Sequence, residues 1–427
     1  MPSSGDDVVT ARPRRLLLLT AGSRGDLEPF VALAREAARR GHEVVLGATR
    51  SMTTGMVGEP AAEPFRVVVL DGDLGSLVAR QGVSPAAALR AWRSTVHPAL
   101  RALLASAVAT ARDVRPDVVV AHPKVLSAPL AAAVLDVPHV LVETVPALTA
   151  TGAFPAAGVA AGDLGRRLNR LTYRATAAAG AALGPDLRRL RVAHGLPAGA
   201  LAPPAAVLCP VSPVLVPRPA DWPGTAHLTG PWHDDDVDAV ADPQVEAFLT
   251  AARAAGAPVV VAGFGSMATG PADAEARSRA VVAAARAHGA HLLVLTGWGG
   301  LDARAAREAA GTSGDVLVAS SAPHAAVLPR ADVVVHHGGA GTVHAVARAG
   351  AVSVVVPFVA DQPWWARRLH HLDLAPAPLP ARRLTADGLA RRLAAAPAHR
   401  RAARAAAGAM AGERGSARAV DLLEGLT

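Results

Sequence analysis

The chain has 427 residues, 51% hydrophobic and only 18% charged, which excludes an intrinsically disordered protein and exceeds what one ordinary core holds. Its net charge of +8 is almost entirely arginine, with Lys124 the sole lysine, and those arginines are scattered through amphipathic segments. With aromatics at 3% there are few platforms for bases, so nucleic acid is excluded as an expected partner.

Residues 1–14 read as a flexible tail. Arg14-Arg15 precedes a leucine run that ends within a few residues at a polar loop, so no signal peptide is expected. Strands are predicted at Leu16–Thr20, Glu43–Gly47, Arg66–Leu70, Asp117–Ala121 and His139–Glu143, each a short apolar run. Helices are predicted at Pro29–Arg40, Pro85–Thr110, Val125–Leu135 and as a pair over Leu164–His194. Thr144 to Gly162 is uncharged, but its Pro, Gly and Thr content argues against a membrane span. Pro203 to Trp232 is too rich in proline for a regular helix and reads as the region of an interdomain linker.

The second half repeats the alternation, with strands at Pro258–Phe264, His291–Leu295, Asp315–Ala319, Asp332–His336 and Ser353–Val356. A helix-rich end runs from Ala390 to Leu426. Alternating strands and helices predict α/β class, two Rossmann-like doubly wound domains facing a cleft. The expected boundaries are residues 15–214, a linker at 215–232, a second domain at 233–410 and a terminal helix at 411–427. His233-Asp234-Asp235-Asp236 reads as a solvated loop, because three consecutive acids cannot face one ion. Cys209 is the only cysteine, so no intramolecular disulfide or thiolate metal cluster is expected. No metal and no cofactor is expected, and the expected location is cytoplasmic.

Two loops carry the chemistry. His336-His337-Gly338-Gly339-Ala340-Gly341-Thr342 follows a strand and opens a helix, a turn whose backbone N–H groups suit a diphosphate. Near the other end, Ala21-Gly22-Ser23-Arg24-Gly25-Asp26 joins a strand to the Pro29 helix. It is not Gly-x-Gly-x-x-Gly, so a nicotinamide cofactor is not expected.

His337, Thr342, Gly350, Pro357, Asp361 and Gln362 fall in one register that resembles the donor signature of the family 1 nucleotide-sugar-dependent glycosyltransferases of GT-B fold. Asp361-Gln362-Pro363-Trp364-Trp365-Ala366 is closest to bacterial natural-product and sterol members, and Pro323-His324 resembles the Pro-Gln of the same signature. Gly22 to Asp26, with Pro29, resembles their first loop, and the spacing puts Asp26 where many relatives carry a catalytic histidine. The resemblance covers roughly Leu16 to Leu389.

That resemblance implies roles. His337 with Gly339, Ala340, Gly341 and Thr342 would hold the donor diphosphate, joined by Gly265, Ser266, Ser23 and Arg24. Asp361 and Gln362 would bind the sugar hydroxyls, while Trp364 and Trp365 wall the pocket or pack the domain. Trp298, Ser321 and Pro323 would lie near the base. Ala345 stands where plant members place a ribose-binding glutamate, which suits a TDP or a UDP donor. Asp26 would be the general base, or else merely the cap of its helix; Arg24 would hold phosphate or pair with Asp26, and Glu28 is a second base candidate. Thr144, His122, His139 and Phe154 would line a first-domain acceptor pocket. The implied activity is inverting transfer from a TDP- or UDP-sugar to a lipophilic natural-product aglycone, such as a polyketide. A nucleotide-sugar epimerase and a non-catalytic binding protein are the alternatives.

Overall fold

The computed structural model describes residues 12–54, 63–73, 91–233, 240–265, 267, 270–297 and 299–426. Strands β1 (Arg15–Leu19), β2 (Glu43–Thr49), β3 (Arg66–Leu70), β4 (Val118–Ala121), β5 (His139–Val142), β6 (Ala206–Cys209) and β7 (Ala226–Leu228) form one parallel sheet, ordered 3-2-1-4-5-6-7. A second parallel sheet joins β8 (Val259–Gly263), β9 (His291–Leu295), β10 (Val316–Ala319), β11 (Val333–His336) and β12 (Val352–Val355), ordered 10-9-8-11-12. Each order reverses once, between β1 and β4 and between β8 and β11. At such a reversal two loops diverge from the carboxyl ends of neighbouring strands and leave a crevice for a ligand.

Alternation along β1 shows how the first sheet is covered. Leu16 and Leu18 pack under α1 (Arg24–Arg39), while Leu17 and Leu19 pack on the other face under α2 (His97–Val114) and α3 (Ala128–Leu135). The second sheet repeats this with Val260 and Ala262 on one face and Val259 and Val261 on the other. Strands buried on both faces explain the near-continuous Val and Leu runs.

Helix α1 starts five residues before the predicted Pro29, which lies inside it. Ser23 and Asp26 start the helix ahead of the proline by exchanging backbone and side-chain bonds. The expected helix Pro85–Thr110 lies outside the described residues up to residue 90, and its described part is a π turn (Trp92–Val96) leading into α2. The predicted pair is α4 (Arg166–Ala179) and α5 (Gly184–Ala193).

The segment 215–232, expected as a plain linker, is structural. Leu215 and Val216 are buried in the second domain's core, β7 adds the last strand to the first sheet, and Trp232 packs in the first core. Prolines lie outside β6 and β7 rather than within them, so they do not break the ladder.

After β8 come α6 (Pro271–Ala287), α7 (Ala303–Ala310), α8 (Ala340–Ala349), α9 (Gln362–His371), α10 (Ala386–Ala395) and α11 (Arg400–Met410). The final helix α12 (Gly415–Glu424) packs back on α1 through Ala419, Val420 and Leu423. Arg40 pairs there with Asp421 and Glu424, and His42 meets Glu424 at 3.0 Å. Among the described residues, no helix is long and apolar enough to cross a membrane.

Candidate active site in the interdomain cleft

At the β1/β4 reversal, Asp26 lies in the first turn of α1 and His122 and Lys124 lie just after β4. Asp26 Oδ2 accepts from Lys124 Nζ at 2.7 Å, Ser23 N at 2.7 Å and Ser23 Oγ at 2.9 Å. Its Oδ1 is 3.1 Å from His122 Nε2. His122 Nδ1 accepts the Lys124 N–H at 3.2 Å, which leaves the ring proton on Nε2, pointed at Asp26 and at Thr144 Oγ1, 3.3 Å away. Gly22 makes room for this cluster: a Cβ there would stand 2.3 Å from Asp26 Oδ2 and 2.7 Å from Lys124 Nζ. Burial alone would raise the Asp26 pKa, but the Lys124 ammonium and His122 outweigh it and hold the carboxyl well below the usual range.

Three expectations change here. Arg24 does not pair with Asp26; it bonds Glu28 at 2.7 Å on the half-exposed face of α1. Ser23 is committed to the Asp26 carboxylate rather than free for phosphate. His122 is a partner of Asp26 rather than a pocket wall. Lys124 does not stand out as a site residue in the sequence, since it lies 98 positions from Asp26 and only the meeting of β1 with β4 brings them together. Its being the sole lysine was the available signal.

At the β8/β11 reversal the glycine turn has the expected form. Gly339 caps α8, Ala340 to Thr342 make its first turn, and among the described residues no side chain caps that end. The N–H groups of this turn therefore lack intrahelical partners, and the space in front of Gly341 is open. The His337 ring is packed between two glycines: a Cβ on Gly339 would lie 2.4 Å from Nε2, and one on Gly265 would lie 3.2 Å from Cε1. Gly265 has φ +57° and follows β8. Burial lowers the His337 pKa to about 4, so the free site holds a neutral imidazole, and its buried Nδ1 has no hydrogen-bond partner among the described residues. His336 is fully buried in β11, its Nδ1 accepting from Gly338 N at 3.2 Å.

Asp361 precedes α9 on the second domain and is half-buried. Burial raises its pKa to about 6, and the negative charge of Asp26 adds to the rise while Lys124 opposes it. Asp361 therefore lies near enough for the charges of Asp26 and Lys124 to act on it, and the two carboxyl groups are pushed in opposite directions, Asp26 down and Asp361 up. Gln362 is turned inward: Oε1 accepts from Phe358 N at 2.8 Å and Val359 N at 3.2 Å, and Nε2 meets Met267 Sδ at 3.1 Å. Its carboxamide is taken up in holding its own loop, against the expectation of a sugar contact. Trp364 and Trp365 are buried and edge-to-face at 4.9 Å, so they pack the domain. Ser321 and Pro323 follow β10 and are exposed at the same end of the sheet. Ser266 and Trp298 lie outside the described residues.

The first-domain loop after β5 is braced from two sides. Buried Glu143 accepts from Leu148 N and Thr149 Oγ1, while Asp221 accepts from Thr151 Oγ1, Gly152 N at 2.9 Å and Arg170. Phe154 leaves this loop to meet Trp364 edge-on at 5.6 Å, making it a contact between domains rather than a pocket wall. His139 is the first residue of β5, at the end of the sheet away from the cleft, so it cannot line the pocket. Among the described residues, no group of three or more His, Cys, Asp or Glu is placed to hold a metal.

Residues 16–151 match the glycosyltransferase family 28 N-terminal domain, and residues 295–426 match the erythromycin biosynthesis protein CIII-like C-terminal domain. The chain is 34% identical to the O-mycaminosyltylonolide 6-deoxyallosyltransferase of Streptomyces fradiae, over 96% of this chain and 97% of that one. Its fold is similar to that of the calicheamicin glycosyltransferase CalG4, at TM-score 0.71 and 20% identity over 97% of this chain and 98% of the other. It is similar as well to the glycosyltransferase VinC, solved with dTDP, at TM-score 0.66 and 22% identity over 96% and 98% of the two chains.

Proposed function

We propose, from the premise that the chain belongs to the natural-product glycosyltransferases of GT-B fold, that it moves a sugar from a TDP- or UDP-sugar to a lipophilic aglycone with inversion. The observation that carries this reading is the pair of loops at the two sheet reversals, the Asp26–His122–Lys124 cluster after β1 and β4 and the glycine turn with His337 after β11, with Asp361 near enough for Asp26 and Lys124 to act on its charge. The relative from Streptomyces fradiae is named for a 6-deoxyallosyl transfer onto a tylonolide, which favours a deoxyhexose and a macrolide-like acceptor. The dTDP bound in VinC favours a thymidine donor.

In this reading the α8 N-terminus and Thr342 receive the diphosphate, and His337 donates a hydrogen bond from a neutral ring. Asp361 accepts from sugar hydroxyls. The acceptor enters beside Thr144 and the loop after β5. Its oxygen attacks the anomeric carbon as the hydroxyl proton passes to Asp26. The bond from that carbon to the phosphate oxygen breaks, and its electron pair leaves with the nucleoside diphosphate. One displacement with no covalent intermediate inverts the centre.

Asp26 clamped by Lys124 is a weak base, so the clamp has to loosen when substrates bind. The donor's negative charge supplies a competing partner for Lys124, and exclusion of water by an apolar acceptor raises the carboxylate pKa. The roles require no metal. Replacing Asp26 with Asn should abolish transfer while leaving nucleotide affinity within about threefold, because the substitution spares the phosphate turn. Unchanged turnover in that variant removes Asp26 as the base.

A further inference from the structure

Helix α4 is built with its polar side chains inward. Asn169, fully buried, donates to Gly152 O at 3.0 Å, and Tyr173 Oη donates to Phe154 O at 3.3 Å. Thr176 Oγ1 donates to Ala147 O at 2.8 Å, and Thr172 Oγ1 accepts from Ala156 N at 2.8 Å. These bonds hold the loop after β5. The leucines consequently point outward: Leu168 is 55% exposed, Leu171 52% and the preceding Leu164 46%. With Val159 at 43%, four of the seven exposed large hydrophobics among the described residues fall between residues 159 and 171.

Arginines border this apolar strip. At the helical advance per residue, Leu168, Leu171 and Ala175 share the outer face and Arg167 and Arg174 flank it. Among the described residues, Arg166, Arg167 and Arg174 are exposed and make no ion pair, while Arg170 is tied to Asp221. The neighbouring carboxylate, Asp163, is already held by Asn169 and the Gly165 N–H.

We propose that α4 docks this protein on an anionic lipid surface. Leucines on an exposed face enter the boundary between headgroups and acyl chains, and the flanking guanidinium groups take phosphate oxygens in pairs. A protein partner would need acidic groups facing the arginines, whereas a bilayer containing anionic lipid supplies phosphate at every angle around the strip. The same helix braces the loop at residues 147–156, so docking would set that loop beside a phase in which apolar molecules dissolve. The proposal is independent of the sugar-transfer reading.

The test is cosedimentation of the full chain with vesicles of equal parts phosphatidylglycerol and phosphatidylcholine. The expected result is saturable binding that pure phosphatidylcholine does not give, weakened at least ~10-fold by Leu168→Ser with Leu171→Ser. Binding should weaken with salt and with Arg167→Gln plus Arg174→Gln, and thermal melting should be unchanged in both variants. Wild-type protein remaining in the supernatant overturns the proposal, as does equal binding by the leucine variant. A concentration-dependent dimer that the leucine variant abolishes, with no vesicle binding, would assign the face to a second copy instead.

Discussion

At the residue scale the cleft sets two carboxylates apart. The Asp361 pKa of about 6 lies above its ordinary 3.8, so between those values the folded chain keeps a proton that the unfolded chain has lost. Stability contributed by this group is therefore lost as pH rises from about 4 to about 6. Replacing Asp361 with Asn should stabilise the protein by roughly 2 kcal/mol at neutral pH, little at pH about 4, and should lower transfer at least tenfold. Thermal melting at the two pH values checks this; equal shifts at both would mean the carboxylate is not strained. The strand, glycine turn and helix around His337 are legible in the sequence because the motif is local. Lys124 is not, since its importance comes from a contact across β1 and β4, and neither is the inward turn of Gln362, which the loop at Phe358 decides.

At the element scale, strands were easy to read and their surroundings were not. Parallel strands buried on both faces leave plain Val and Leu runs, which locate ten of the twelve strands among the described residues. The two missed, β6 and β7, have four and three residues and stand among prolines, where composition suggests a tether. Yet Asp221 and Trp222, from that stretch, hold the loop after β5 through Thr151, Gly152 and the Thr149 carbonyl. Asp221→Ala should therefore raise the acceptor KM about tenfold while nucleotide affinity changes less than about twofold. Steady-state kinetics against calorimetric nucleotide binding separates the two, and an equal loss on both sides would contradict a brace specific to the acceptor loop.

At the scale of the whole molecule, the chain crosses between its two sheets more than once. Leu215 and Val216 pack with the second sheet, β7 returns to the first, and α12 comes back to α1 from the far end. Ser212 adds a stitch, its N–H donating to His344 Nε2 at 3.1 Å and its Oγ to Glu413 at 2.6 Å. Since Leu423 is 1% exposed in the first domain's core, Leu423→Ala should cost about 2–4 kcal/mol and lower the melting temperature by several degrees. An unchanged melt would mean α12 is not docked.

The most direct test of the nucleotide-sugar cleft is calorimetric titration of the full chain with TDP, UDP and NAD, repeated on His337→Ala. Saturable heat with TDP or UDP, none with NAD, and at least ~10-fold weaker nucleotide binding in the variant is the predicted result. No heat from either diphosphate in folded protein, or equal affinity in the variant, would contradict the assignment of the glycine turn to the donor.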